Sequence, residues 1–240
     1  MNPVFSVAKN YMTVSKDLLI EIGTEELPPN ALQRLSDAFS QGVADGLTGA
    51  GFKIGAIKPY ATPRRLAVLI REVPDAQPDR DIERKGPSLK AAYDADGKPT
   101  KAVEGFARSC GVSVDDLEQQ QTDKGTWLVF RAIEKGQSVS ALVPEIVDQT
   151  LARLPIPKRM RWGDSDAEFV RPVHWIVMMH GKDVIDGEVL GAVSSNKTRG
   201  HRFHANKPLA LSKAGDYADK LESKGFVIAD IKQRSRSIHD

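Results

Sequence analysis

The sequence predicts an α+β protein of mixed, mainly antiparallel sheets with flanking helices, divided into two or three small modules. Three observations carry this. Apolar runs such as Leu18–Ile22, Leu66–Ile70 and Val173–Met179 have strand length. Helical spacing recurs in Ala31, Leu32, Leu35, Phe39, Val43 and Leu47, and again in Val139, Leu142, Val143, Ile146, Val147 and Leu151. Between Pro74 and Pro99 the apolar pattern dissolves into Asp, Arg, Lys, Gly and Pro, which reads as an exposed loop or an inter-domain crossing. The implied organisation is an N-terminal extension at 1–17, a first α/β module at 18–98, a small inserted helix-strand-helix module at 99–157, and a second β-rich part of the core at 158–240.

Leu18–Ile22 is the first strand, and Gly23-Thr24-Glu25-Glu26-Leu27-Pro28-Pro29 ends it. A helix comes next, with Gly49 and Gly51 as stop signals. Glu25 and Glu26 lie at the passage from strand to helix, where carboxylates serve acid–base chemistry or complement the helix's own dipole. Residues Phe52–Tyr60 read as a strand or irregular edge. The next strand, Leu66–Ile70, is apolar on both faces and therefore central. Two adjacent arginines, Arg64 and Arg65, precede it; both cannot point into the core, so at least one faces solvent or a ligand.

Ala102, Val103, Phe106, Ala107 and Cys110 mark a short amphipathic helix stopped by Gly111, with Cys110 on its apolar stripe. Asp123-Lys124-Gly125 is a turn feeding the strand Trp127–Ile133. Ser138 is placed to cap the next helix, whose body is expected to begin near Pro144 because an interior proline costs about 3 kcal/mol. Pro155-Ile156-Pro157 leads out. Val173–Met179 is a central strand with His174 and Trp175 on opposite faces, and Val184–Leu190 is its expected antiparallel partner. A helix at Lys213–Lys224, a short strand at Phe226–Ile228 and a basic helix capped by Asp230 close the chain. That last helix has buried nothing by Asp240, which reads as a fragment of something longer.

Composition narrows the class. The 240 residues are 40% hydrophobic and 28% charged, ordinary for a globular protein. A net charge of +2 means that any polyanion site must be local. The single cysteine, Cys110, excludes an intramolecular disulfide and a multi-cysteine zinc site and suits a reducing compartment, so a cytoplasmic location is expected. No apolar run approaches the roughly 20 residues needed to cross a bilayer, and no membrane partner is expected. The first dozen residues lack a signal-peptide pattern, and Met12 is a candidate natural start.

The stretch Lys158–His204 is the most informative. It holds three cationic and aromatic clusters: Lys158-Arg159-Met160-Arg161-Trp162, Arg171-Pro172-Val173-His174-Trp175 and Thr198-Arg199-Gly200-His201-Arg202-Phe203-His204. Guanidiniums present planar donor forks to phosphates, and rings stack on bases, which points towards nucleic acid. From Ser194 to Pro208 there are four Lys or Arg and no acidic residue. The competing reading has these arginines pairing with Asp164, Asp166 and Glu168. His174, His201 and His204 do not read as a metal site, because arginines interleave with them and no Cys or carboxylate completes the set. Phosphate-loop, dinucleotide and nucleophile-elbow motifs are absent from the sequence.

Six motifs then converge. Leu19-Ile20-Glu21-Ile22-Gly23-Thr24-Glu25-Glu26-Leu27-Pro28-Pro29, Ala61-Thr62-Pro63-Arg64-Arg65-Leu66, Lys124-Gly125 with Trp127, Leu154-Pro155-Ile156-Pro157-Lys158-Arg159-Met160-Arg161-Trp162-Gly163, Phe169-Val170-Arg171-Pro172-Val173-His174 and Thr198-Arg199-Gly200-His201-Arg202-Phe203 stand in order without large gaps. Together they resemble the N-terminal third of the β subunit of the bacterial two-subunit glycyl-tRNA synthetase. The resemblance implies a heterotetramer in which the α subunit carries the class II active site and uses ATP and magnesium, while the β subunit binds tRNA(Gly). It implies no cofactor in this region and no catalytic residue. Contacts to tRNA or to the α subunit are placed on Arg64, Arg65, Arg159, Arg161, Arg171, His174, Arg199, His201 and Arg202. Three roles stay open: holding the tRNA, packing against the α subunit without touching RNA, and hydrolytic proofreading that uses Glu25, Glu26 and the histidines.

Overall fold

The computed structural model describes residues 14–123, 125–156, 158–164 and 166–239. Expectations for residues 1–13, Met12 included, and for Lys124, Pro157 and Asp240 lie outside them. The chain begins with β1 (Ser15–Thr24), α1 (Pro29–Gly49), β2 (Ile57–Thr62), β3 (Arg65–Pro74), β4 (Arg80–Ser88), α2 (Leu89–Ala92) and α3 (Lys101–Cys110). It continues with β5 (Glu118–Thr122), β6 (Gly125–Glu134), α4 (Val139–Arg153), β7 (Met160–Arg161), β8 (Glu168–Phe169) and β9 (Val173–His180). It closes with β10 (Asp183–Val184), β11 (Glu188–Val189), β12 (Ala192–Ser195), β13 (Lys197–Arg199), β14 (Pro208–Ala210), α5 (Tyr217–Gly225) and α6 (Ile231–His239). The α+β class and the mainly antiparallel pairing are as the sequence predicts.

Two compact units result, one formed by the chain up to Gln77 together with Gln137 onward, the other by Pro78–Gly136. In the first, strands run in the order β11-β12-β9-β1-β3-β2, with β10 also on β9. β1 is central and antiparallel to both β3 and β9. Its period-two alternation serves two cores. Leu18, Ile20 and Ile22 pack with Leu35, Phe39, Val43 and Leu47 of α1 and with Val143, Val147 and Leu151 of α4. Leu19, on the other face, joins Trp175, Val177, Met179, Tyr217 and Leu221. Each such fully buried aliphatic side chain contributes about 1.5–3 kcal/mol. Glu21 falls on this second face and is fully buried, the one charged residue within the apolar part of β1.

Gly23 is required by a close approach. It stands opposite Trp175 in the β1–β9 ladder, and a Cβ there would lie 1.9 Å from the indole. His174 and Trp175 do face opposite ways: Trp175 is buried and His174 exposed. Ser138 caps α4 by accepting from the Ala141 amide at 3.2 Å, and Asp230 caps α6 by accepting from the Lys232 and Gln233 amides.

Several expectations are corrected. The polar stretch after Pro74 contains β4, which pairs antiparallel with β6; most of its side chains are wet on both faces, so no apolar alternation announced it. α4 begins at Val139 and keeps Pro144 inside. Val184–Leu190 is not one continuous partner of β9: Asp183–Val184 pairs with it, but Glu188–Val189 pairs with β12, which runs parallel to β9. The break falls at Gly187, where a Cβ would press on Pro144 and Met178. Phe226–Ile228 forms no strand, because Phe226 is the left-handed cap of α5 and the Val227 amide bonds back to Leu221. α6 is anchored: Ile231 packs on the main core, and Arg234 donates to the Ala61 and Ile228 carbonyls.

The second unit is a three-stranded antiparallel sheet, β4-β6-β5, with α2 and α3. Its core is small, built on Ala92, Val103 and Leu128. Across the sheet Arg131 pairs with Glu83 at 2.8 Å and Glu118 at 3.0 Å. Cys110, the last residue of α3, is only partly buried.

Gly23→Ala is expected to lower the unfolding free energy by about 1–3 kcal/mol, the usual cost of forcing an atom into a packed contact, read as a lower urea midpoint at unchanged slope. An unchanged midpoint would mean that the Trp175 indole has room to move.

Candidate functional site

The site is built outward from Glu21. Its Oε1 accepts from Arg65 Nη1 at 2.8 Å, Thr198 Oγ1 at 2.9 Å and the Tyr217 hydroxyl at 3.0 Å. All four residues are buried, and they come from β1, β3, β13 and α5. A buried carboxylate is tolerated only when paired and hydrogen-bonded, and here three donors converge on one oxygen. Burial works against the Arg65 charge, but Glu21 and Tyr217 outweigh it and hold the guanidinium above its ordinary pKa. Burial, with the Glu21 charge behind it, pushes the Tyr217 phenol well up. Arg65 Nη2 reaches on to the Arg199 carbonyl at 2.5 Å. The buried cluster therefore fixes the start of the turn that carries Arg199, His201 and Arg202.

That turn is held at its other side by backbone. Gly200 and Gly225 approach so closely that a Cβ on Gly200 would lie 2.8 Å from the Gly225 carbonyl oxygen, and the His201 amide donates to that oxygen at 2.7 Å. Inside the turn the Ala205 amide donates to the His201 carbonyl at 2.8 Å. His201 Nδ1 accepts from the Phe203 and His204 amides, so its ring organises the turn as well as facing outward.

A cleft of about 520 Å³ opens between this turn, the β2–β3 connection and the segment joining α5 to α6. Among the described residues five arginines line it, Arg64, Arg65, Arg199, Arg202 and Arg234, against one carboxylate, Glu26. Trp175, Phe226, Val227 and Ile228 supply apolar wall. The Arg65 and Arg199 guanidiniums lie over the Trp175 ring, 5.7 and 5.3 Å from its centroid. Trp175 Nε1 and Arg65 Nε are buried without a hydrogen-bond partner among the described residues.

A shallower cleft adjoins, lined by Glu25, Glu26, Arg171 and Arg202 among others. Backbone bonds from Thr24 to the Arg64 carbonyl and from Glu25 to the Pro172 carbonyl, both 2.9 Å, set Glu25 in place. Its Oε1 meets His174 Nε2 at 2.8 Å and Arg64 Nη2 at 3.3 Å. The first turn of α1 contains no acidic residue, so Glu25 and Glu26 answer arginine and histidine side chains and not a helix dipole. Arg171 donates to the Glu26 and Val170 carbonyls.

Of the residues singled out from sequence, Arg64, Arg65, Arg199, His201 and Arg202 share the main cleft, and Arg171 lines its neighbour. His174 stands beside Glu25. Arg159 lines neither cleft: it donates to the Leu151 and Ala152 carbonyls at the end of α4. Arg161 pairs with Asp166 and Glu168. Sequence alone assigns no site role to Glu21, Thr198, Tyr217, Phe226 or Arg234, although Glu21, Thr198 and Phe226 stand in its motifs and elements. Glu21 had a signal, an acid at an inward position of an apolar strand. Among the described residues no group of His, Cys, Asp and Glu is placed to hold a metal ion, and no helix is long and apolar enough to cross a membrane.

The fold and the cleft define an α+β protein with an arginine-lined, aromatic-walled recess suited to an anionic ligand. The sequence profile of the family described as glycyl-tRNA synthetase beta subunit matches residues 18–240, and the chain belongs to that family. A glycine–tRNA ligase beta subunit of Marinobacter nauticus is 51% identical over 224 residues, 93% of this chain and 32% of that protein. The corresponding subunit of Chromohalobacter salexigens is 53% identical over 226 residues, 94% and 33% of the two chains. That of Histophilus somni is 47% identical over 224 residues, 93% and 33%. The chain thus spans about a third of the length of the curated relatives it matches.

The His174 hydrogen bond, helped by the Arg64 and Arg202 charges, holds the Glu25 carboxyl below its ordinary value of 4.5 against a burial effect that raises it. A depressed carboxyl stabilises the fold at pH above its unfolded value and loses that contribution as pH falls through the folded one. The urea midpoints of wild type and Glu25→Gln are therefore expected to differ at neutral pH and to converge below pH 4.5. A gap that widens on acidification would contradict the pairing.

Proposed function

We propose that this chain is the tRNA-handling and assembly region of the β subunit of a two-subunit glycine–tRNA ligase. It supports ATP-dependent glycylation of tRNA(Gly) in the cytoplasm, within a heterotetramer whose α subunit supplies the aminoacylation site and uses ATP and magnesium. One observation carries the reading: in a member of this family, five arginines line one recess, and two of them, Arg199 and Arg202, keep exposed guanidiniums there that Glu26 opposes only at 3.5 Å from Arg202. Phosphates satisfy such a surface through charge-assisted, bidentate hydrogen bonds. With a net charge of only +2 the global field is weak, so attraction to a polyanion concentrates at this face.

A second reading keeps the same face for a protein partner. It is favoured by two exposed aromatic residues, Phe203 and Phe226, 75% and 64% accessible. One experiment separates the two. In the assembled α/β complex, Arg199→Ala with Arg202→Ala is expected to weaken tRNA binding and to make its salt dependence shallower by roughly one unit of slope per phosphate contact removed. Filter binding across a salt series reads this, and size-exclusion chromatography reads assembly. Unchanged affinity and slope would remove these arginines from the RNA face. Lost assembly with unchanged affinity per intact complex would favour the protein partner.

A further inference from the structure

We infer that the main cleft receives one unstacked nucleotide of single-stranded RNA, with phosphate at Arg199 and Arg202 and base against the Phe226 side. The inference rests on the tRNA reading above and goes beyond it by separating single-stranded from duplex RNA.

Charge places the phosphate. The other cleft arginines are already engaged: Arg65 by Glu21, Arg64 by Glu25, and Arg234 by two carbonyls. Arg202 reaches Glu26 only at 3.5 Å. The exposed Arg199 guanidinium meets no carboxylate or carbonyl among the described residues and rests over the Trp175 ring. Its place over Trp175 leaves its donors without a carboxylate or carbonyl partner among the described residues and open to a ligand.

Phe226 places the base. It sits at the left-handed cap of α5, with φ 53°, where glycine or asparagine is usual and a bulky side chain is disfavoured. The residue is 64% exposed, so packing does not offset the backbone strain. The His204 ring stands 6.2 Å away, edge-on, and the His201 ring 4.6 Å from that of His204. Rings beside cations are the stacking platform that single strands use, because every base has a π-face.

Volume excludes the duplex. About 520 Å³ falls in the range of sites that enclose one small ligand. An A-form helix presents phosphates and sugar edges on an outer surface and keeps its bases stacked within. It can lie across the rim but cannot enter.

The test uses the assembled α/β complex with two labelled probes, a single-stranded RNA tetranucleotide and a blunt-ended RNA duplex, followed by anisotropy. Two variants are compared, Arg199→Gln and Phe226→Gly; the latter removes the ring while relieving the left-handed backbone, so the fold is kept. Each is expected to weaken tetranucleotide binding about tenfold, for Phe226→Gly within the range for loss of one base-stacking ring and for Arg199→Gln as the loss of one charge-assisted phosphate contact, and duplex binding by less than about twofold. Equal losses on both probes would overturn the inference, since the cleft would then act only as general phosphate attraction. No tetranucleotide binding by the wild type would overturn it too, while salt-dependent binding of intact tRNA would leave the broader tRNA reading standing. Unaltered tetranucleotide binding, together with α/β assembly lost in the variants, would assign the cleft to a protein.

Discussion

The burial of Glu21 is the constraint on which the rest of the first unit depends. A carboxylate in the centre of a sheet, fully removed from water, cannot stand without donors, and the chain supplies them from three other elements. Breaking such a cluster from one side leaves an uncompensated buried charge, which costs about 3–5 kcal/mol. The carboxylate therefore dictates where β3, β13 and α5 must come together. Hydrophobic packing alone would bring the same layers into contact with far less positional definition.

The constraint passes outward from residue to residue. Arg65 is fixed by Glu21, and the Arg199 carbonyl is fixed by Arg65. Trp175 fits beneath both guanidiniums because Gly23 leaves room for its indole. The Gly200–Gly225 contact then closes the turn against the end of α5 and brings Phe226 to the mouth of the cleft. A surface arginine on a mobile stem gives a polyanion site little shape. Here the backbone beneath Arg199 is tied to a buried ion pair, and its side chain lies on an aromatic ring, so the donor fork is held ready.

How much of this could be read from the sequence depended on distance along the chain. Local signals were enough for β1, α1, the Ser138 and Asp230 caps, and the opposed faces of His174 and Trp175. They also sufficed for the argument that Arg64 and Arg65 could not both be buried: Arg65 is, and Arg64 stays half-exposed beside Glu25. β4 escaped because an edge strand wet on both faces has no apolar period. The Glu21 cluster escaped because its partners stand 44, 177 and 196 residues away. Phe226 reads as a strand residue from sequence because Gly225, the expected stop, sits one position too early to occupy the left-handed cap. The arginine clusters divided once seen in space, with Arg159 and Arg161 serving the end of α4 and the β7–β8 hairpin.

The hold of the Glu21 cluster on the turn is measured by amide hydrogen exchange in Thr198→Val, a near-isosteric change that removes a hydroxyl from the cluster and leaves Arg65 and Tyr217 in place. If the buried cluster holds the turn, exchange at the His201 and Ala205 amides, bonded to Gly225 and His201 in the native turn, speeds up while the β1 amides of Ile20 and Ile22 keep their protection. Unaltered protection at His201 and Ala205 would contradict the account, because the turn would then stand without the charge beneath it.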